Sequence, residues 1–320
     1  MEMLRVHQIA PTVGQACGIG NFALGLAECL KKQGFGVTTD TELWLPPDSD
    51  IVLIQYGNSL FDDSELVSFC ARANRPVAFL THFPHVDWVE SVVDGFVSLS
   101  LGAVSPVEAS VLTIPHPARV PDRLEDRVQL RREFGLPAGT VVGTSGFLMF
   151  DKELPAILGR LLPVAQRQGW FVDVITSRWR EESPGLEDEL ESLFLQFPGT
   201  GRFGTVFLPA DTLNRRLQAC DLLWCWTRAP SGPYASGAVS DQYASGTQLY
   251  VAAKSQHDHV RILRNVVSGP DTRELFVAGL IEHLRQGDFR RHNPAPVGWD
   301  RVGPDLAEFL TSLYLARTRG

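Results

Sequence analysis

Two turns in this 320-residue sequence pair glycine with the start of a helix, and each could receive an anion. In Cys17-Gly18-Ile19-Gly20-Asn21-Phe22, Gly18 and Gly20 let backbone approach a ligand closely, and the first N–H groups of the following helix stabilise negative charge. A tight strand–helix turn without a ligand is the plainer alternative. In Pro230–Gly237 (PSGPYASG) a turn-rich loop enters a helix at Ser236, Gly237 and Ala238, the same anion-receiving geometry unless Ser236 merely caps the helix. Lys152 stands in a helix's first turn, where a cation is normally unfavourable, so a role in offsetting charge on a departing anion weighs against a solvated lysine. Arg178 follows a strand; its guanidinium suits phosphate bidentately, or it pairs at the surface with Glu181 or Glu182. His82, in Phe79-Leu80-Thr81-His82-Phe83-Pro84-His85, follows a buried strand. A neutral imidazole there hydrogen-bonds a hydroxyl or shuttles a proton, or is satisfied by local backbone. His85 shares the segment, and His116, between two prolines, reads as structural or linker-lining.

Other chemistries are excluded. Asp258 between His257 and His259 alternates along a loop with no further ligand nearby, so no metal site is expected. The five cysteines are odd in number, scattered and without a C-x-x-C, which fits a reducing cytoplasm rather than zinc or disulfides. Net charge is −8, and residues 1–120 carry 6 Lys/Arg against 13 Asp/Glu. Binding to nucleic acid or an anionic membrane generally needs a basic face, so neither partner is expected. No apolar run approaches a membrane span, and the N-terminus reads as a first strand rather than a signal peptide.

The elements that would hold these residues alternate. Leu4–Ile9 is a strand, and Ile19, Phe22, Ala23, Leu26, Ala27 and Leu30 recur at three and four along a helix that Gly34 ends. Val37 opens a second strand, and Ile51–Gln55 and Pro76–Leu80 are apolar throughout, as parallel strands buried on both faces are. A helix from Asp62 to Cys70, then strands Gly95–Leu101 and Val111–Ile114, complete a domain over residues 1–120. A Pro-rich, charged linker with one short helix follows to 139. Residues 140–295 repeat the pattern, with strands Val141–Ser145, Phe171–Thr176, Val206–Leu208, Leu222–Cys225 and Leu249–Ala252. Helices are expected near 153–168, 186–196, 211–219, 237–245 and 272–285. A final stretch, 296–320, holds an amphipathic helix from about Asp305 bearing Leu306, Phe309, Leu310, Leu313 and Tyr314. The pattern is α/β, with two Rossmann-like doubly wound domains.

Three segments, in order across about 230 residues, resemble the large retaining glycosyltransferase family of the B-type fold that includes sucrose, trehalose and glycan synthases. Cys17–Phe22 is similar to that family's Gly-Gly-Ile-Gly loop. Thr144-Ser145-Gly146-Phe147-Leu148 with Asp151-Lys152 resembles the strand–Gly–loop–Lys segment that opens its second domain. Ala219-Cys220-Asp221, then Ser236-Gly237 and Asp241–Gly246, resemble its Ala-x-Asp strand and the helix ending Glu-Ala-x-Ala-x-Gly. The pattern also departs. Asp241 stands for the second Glu of a spaced pair, Pro233 lies eight residues before it, and Phe147 and Met149 occupy the stretch where an Arg usually precedes the Lys.

The resemblance implies two domains facing across a cleft, with a C-terminal helix packing back across their junction. It implies a glycosyl group moved from a nucleotide-diphosphate sugar to a small-molecule or glycan acceptor, with retention. No Asp-x-Asp stands where an A-type transferase would hold a metal, so metal-independent chemistry without a resident cofactor is expected. Lys152 and the Ser236–Ala238 amides would hold the diphosphate, Arg178 supplying the second cation. Asp241 would fix the ribose, Gly18 and Gly20 would approach the donor, and His82 would engage the sugar or acceptor. Three other readings stay open: a non-catalytic nucleotide-sugar-binding protein, a nucleotide-sugar epimerase, for which no cluster of carboxylates with histidine is evident, and a DNA-modifying transferase.

Overall fold

A computed structural model describes residues 3–15, 17–57, 60–82, 92–99, 110–178, 185–228, 236–254 and 257–319. The chain divides into two compact units. One comprises Met1–Ala118, Ser231–Ala235 and Gly298–Gly320, and the other comprises Arg119–Pro230 and Ser236–Val297.

The first unit is built on a six-stranded parallel sheet of β1 (Arg5–Ile9), β2 (Gly36–Asp40), β3 (Ile51–Tyr56), β4 (Val77–Thr81), β5 (Gly95–Ser98) and β6 (Ser110–Thr113). Its order is β2-β1-β3-β4-β5-β6. Helix α1 (Gly18–Lys32) packs Phe22, Leu26 and Leu30 on one face of the sheet, and α2 (Asp63–Arg72) packs Leu66 and Phe69 among the residues of the other. Every residue of β3 and β4 is buried, as their unbroken apolar runs require.

The second unit has its own parallel sheet of β7 (Val141–Phe147), β8 (Phe171–Ser177), β9 (Gly201–Gly204), β10 (Leu222–Cys225), β11 (Gln248–Ala252) and β12 (Val266–Gly269), ordered β12-β11-β10-β7-β8-β9. Its helices are α3 (Arg127–Phe134), α4 (Leu154–Gln168), α5 (Leu186–Gln196), α6 (Ala210–Gln218), α7 (Gly237–Ala244), α8 (Asp258–Arg261) and α9 (Arg273–Gln286). The segment read as a linker therefore contributes α3. Arg127 and Arg131 of α3 meet Asp221 at 2.8 and 2.5 Å, and the same carboxylate accepts from Val141 N at 2.8 Å. Asp221 of the Ala-x-Asp segment thus ties the start of β10 to β7 and α3.

Three boundaries differ from the sequence reading. The strand expected at Val206–Leu208 lies instead at Gly201–Gly204, a stretch of low strand propensity. It is secured by Arg202, which donates to the fully buried Asp173 at 2.8 Å, and a side chain at Gly201 would collide with the Val172 carbonyl. The strand β12 was not anticipated. The final helix, α10 (Trp299–Arg319), starts earlier than Asp305 and carries Pro304 inside it. Packing explains the extra turn: Gly25 of α1 leaves room for the Trp299 ring, and Gly303 for Cys29. Val302, Leu306, Leu310 and Leu313 join the core of the first unit, each such burial contributing about 1.5–3 kcal/mol against the cost of the proline. Among the described residues, no helix is long and apolar enough to cross a membrane, and the five cysteines are free and buried.

Candidate functional site

Strand order creates a topological switch point in each sheet, between β1 and β3 and between β7 and β10. Loops leaving the carboxyl ends of the strands diverge there and make room for a ligand. Several of the candidate residues lie near these two places.

In the second unit the penultimate residue of β7 is Gly146, whose φ of 126° is a backbone conformation that favours glycine. A Cβ at this position would collide with the Lys152 ammonium and come within 3.0 Å of the Ala238 methyl. The end of β7, Lys152 and the start of α7 therefore meet at one point. Lys152 reaches it through a single 3₁₀ turn, Phe150–Lys152, followed by Glu153 at φ 46°. The turn is braced by residues that follow β10. Asp151 accepts from the Thr227 hydroxyl at 3.0 Å, and Glu153 accepts from Trp226 Nε1 at 3.0 Å, Arg228 at 2.9 Å and Arg273 at 3.1 Å. Burial raises the Glu153 carboxyl, but the bonds from Arg228 and Trp226 and the Arg273 charge outweigh it and leave it below the usual range.

Among the described residues the Lys152 ammonium makes one long contact, 3.5 Å to the Ser145 carbonyl. Burial lowers its pKa from the ordinary lysine value, with Cys225 and Asp151 pulling the other way. A partly desolvated cation with so little compensation gains from meeting an anion. Beside it, Ser236 stands at the N-cap of α7 but makes no side-chain capping bond, and no acidic residue occupies the first turn. Val239 and Ser240 donate to the Ser236 carbonyl, whereas the amides of Gly237 and Ala238 have no partner among the described residues.

Asp241 lies four residues beyond Gly237, on the same helical face, with its side chain exposed. Desolvation by the surrounding protein raises its carboxyl to about 7, although the side chain is exposed. Arg178 sits apart from this group. It pairs with Glu187 at 2.5 Å while 69% exposed, and Thr205 donates to the other Glu187 oxygen at 2.6 Å. Glu181, Glu182, Pro233 and His85 lie outside the described residues.

In the first unit, Gly18 opens α1 at an exposed position, and Cys17 provides no side-chain cap. Gly20 is buried, and a Cβ there would collide with the Thr12 carbonyl. Its glycine is required by the close approach of the preceding loop. His82 directly follows β4 and is buried, its ring edge-on to Phe22 at 4.8 Å and 6.3 Å from His116. Its Nε2 lies 2.8 Å from Gln55 Oε1, Gln55 Nε2 donates to Gln8 Oε1 at 3.0 Å, and Gln8 Nε2 donates to the Ala23 carbonyl at 2.9 Å. Burial, and after it the neighbouring His116, hold the His82 pKa well below that of an ordinary imidazole, so the ring is neutral. His116, also half-buried and pushed down to about 4, bonds the Pro117 carbonyl.

No family model matches the sequence, and no curated protein does. Solved structures do match over the whole chain. The catalytic domain of starch synthase IV from Arabidopsis thaliana, bound to ADP and acarbose, superposes with a TM-score of 0.68 at 11% identity, covering 100% of both chains. The Anabaena protein HepE (Alr3699) in complex with UDP-glucose gives 0.66 at 12% identity, covering 99% of this chain and 98% of the other. Sucrose-phosphate synthase from Thermosynechococcus elongatus gives 0.66 at 11%, again covering 99% and 98%. The fold is that of the B-type glycosyltransferases. Within this fold Lys152 and Ala238 meet Gly146 near the end of β7, Ser236, Gly237 and Asp241 lie at or in the same helix as Ala238, and His82 stands at the carboxyl edge of the first sheet. Gln8 and Gln55 were not singled out by the sequence reading, although a glutamine closing an otherwise apolar strand (IVLIQ) signals a buried polar group in need of a partner.

Proposed function

We propose that the protein is a glycosyltransferase that moves a sugar from a nucleotide-diphosphate donor to a small-molecule or glycan acceptor. The observation that carries this reading is the convergence of Lys152, Gly146 and the unclaimed α7 amides at the β7/β10 switch point. HepE was solved with UDP-glucose and starch synthase IV with ADP and acarbose, and a donor of that class suits the chemistry found here. The Lys152 ammonium and the amides at Gly237 and Ala238 would stabilise negative charge as it accumulates on the departing diphosphate. A cation and backbone donors can carry that charge, which supports metal-independent transfer. Asp241 would accept from the ribose hydroxyls, Gly18 would leave space for the donor at α1, and Arg178 would join the diphosphate by exchanging Glu187 for phosphate. His82 would bond a hydroxyl of the sugar or the acceptor. A retaining course and a cytoplasmic setting, in keeping with five free buried cysteines, complete the proposal.

The test is release of free nucleotide diphosphate from UDP- and ADP-sugars, with and without EDTA, followed by the anomeric configuration of the product. EDTA-resistant release with the donor anomer retained is expected. Saturable nucleotide-sugar binding with no turnover across donors and acceptors would instead identify a binding protein.

A further inference from the structure

From the buried amide chain we infer that Gln8 and Gln55 are positioning residues that lock His82 as the Nε2–H tautomer, so that Nδ1 serves as a hydrogen-bond acceptor for a substrate hydroxyl. The recognition half of this inference rests on the glycosyltransferase reading; the tautomer half does not. Polarity is dictated from the far end. A backbone carbonyl can only accept, so the Gln8 side chain must turn its NH₂ toward Ala23 O, 2.9 Å away, and it reaches Thr39 Oγ1 at 3.2 Å with the same group. Its Oε1 then faces Gln55 and receives Gln55 Nε2–H at 3.0 Å. That leaves Gln55 Oε1 facing His82 Nε2 at 2.8 Å, and an acceptor there requires the ring nitrogen to carry the proton.

Both glutamines are fully buried and His82 nearly so, which removes water as an alternative partner for either amide. Reversing any one member would set two oxygens or two NH groups against each other in a low-dielectric site, so the chain has one allowed direction. It crosses four adjacent strand ends, Thr39 on β2, Gln8 on β1, Gln55 on β3 and His82 after β4, directly over the β1/β3 switch point. Nδ1 has no partner among the described residues, and it is absent from the buried atoms left unbonded. A neutral ring with its proton committed to Gln55 cannot protonate a leaving group. It can accept from an O–H and thereby select a hydroxyl over a deoxy position.

The experiment is long-range ¹H–¹⁵N correlation on protein labelled at histidine nitrogens, with His82 assigned by comparison with His82→Asn. The wild type, Gln55→Met, Gln8→Met and Gln55→Glu are compared, and KM and kcat for nucleotide-diphosphate release are measured on the same samples. The wild-type ring is expected as Nε2–H at neutral pH. Gln55→Met, of similar volume, should give mixed tautomers and a fall in kcat/KM of about tenfold, and Gln8→Met a smaller change in the same direction. Gln55→Glu, whose neutral carboxylic acid can donate to Gln8 Oε1 and accept from His82 Nε2–H, should keep the tautomer. A wild-type Nδ1–H ring, an imidazolium, or an Nε2–H ring unaltered by Gln55→Met would overturn the lock. A lock with unaltered turnover in Gln55→Met overturns the recognition role alone. An intact lock in a protein that releases no nucleotide diphosphate supports the lock and overturns the glycosyltransferase reading instead.

Discussion

The two switch points are built on opposite principles, although both lie at the carboxyl edge of a parallel sheet. At β1/β3 a chain of neutral, buried groups is bonded link by link from the Ala23 carbonyl through two glutamines to His82 Nε2. At β7/β10 a lysine ammonium stands over a glycine with one long contact, next to helix amides that nothing among the described residues claims. The first arrangement is preorganised for direction, offering one acceptor in one orientation. The second lacks a bonded anion among the described residues, and a ligand that supplied negative charge would stabilise it. Under the proposed function, the first region would serve hydroxyl groups and the second would serve phosphate.

The sharpest way to break this contrast is Lys152→Ala. If the ammonium supports the departing diphosphate, turnover should fall by about 10²–10³-fold, and the thermal stabilisation given by free UDP or ADP should vanish. An unchanged thermal shift removes Lys152 from the site. Next in size is Gly146→Ala, which places a methyl in a disallowed backbone region and against the lysine. Urea unfolding should show a loss of about 3 kcal/mol along with weaker nucleotide binding, and a wild-type midpoint would contradict the convergence at β7.

Acid should expose what the two regions have in common. His257 and His292 of the second unit, both buried, are pushed down to about 4 by burial. Unfolded, each takes up a proton near pH 6.5; folded, only near 4. Their contribution is therefore complete above about pH 6.5 and is lost as pH falls toward 4, by about 3 kcal/mol for each histidine. Urea midpoints across that range should fall with pH, and His257→Gln should flatten the slope; a flat wild-type profile would refute the burial of neutral rings. The smallest effect is expected from His82→Ala. The loss of one hydroxyl contact should lower kcat/KM about tenfold while leaving UDP affinity unaltered, whereas a drop in UDP affinity would erase the division of labour between the regions.

Much of this was legible in the sequence. Unbroken apolar runs such as Ile51–Gln55 named the buried parallel strands, and the three-and-four spacing of Phe22, Leu26 and Leu30 named the buried face of α1. Lys152, Ser236, Gly237 and Ala238 could be chosen because glycine-bearing turns at helix starts follow local rules. Where long-range packing outweighs local preference, those rules stop. The strand β9 exists because Arg202 reaches Asp173, and the first turn of α10 because Gly25 admits the Trp299 ring. Arg178 illustrates the same limit, since sequence neighbours suggested Glu181 or Glu182 and the described partner is Glu187.

By itself the sequence determined the alternation of strands and helices, the two parallel sheets and the candidate turns, because side-chain periodicity and glycine placement act over a few residues. Only the tertiary structure decided that Gly20 serves packing, that Asp221 is a brace, and that Gln8 and Gln55 orient His82. Those roles depend on atoms that the fold brings together from segments apart in sequence. A buried polar group declares its purpose only when its partner is known.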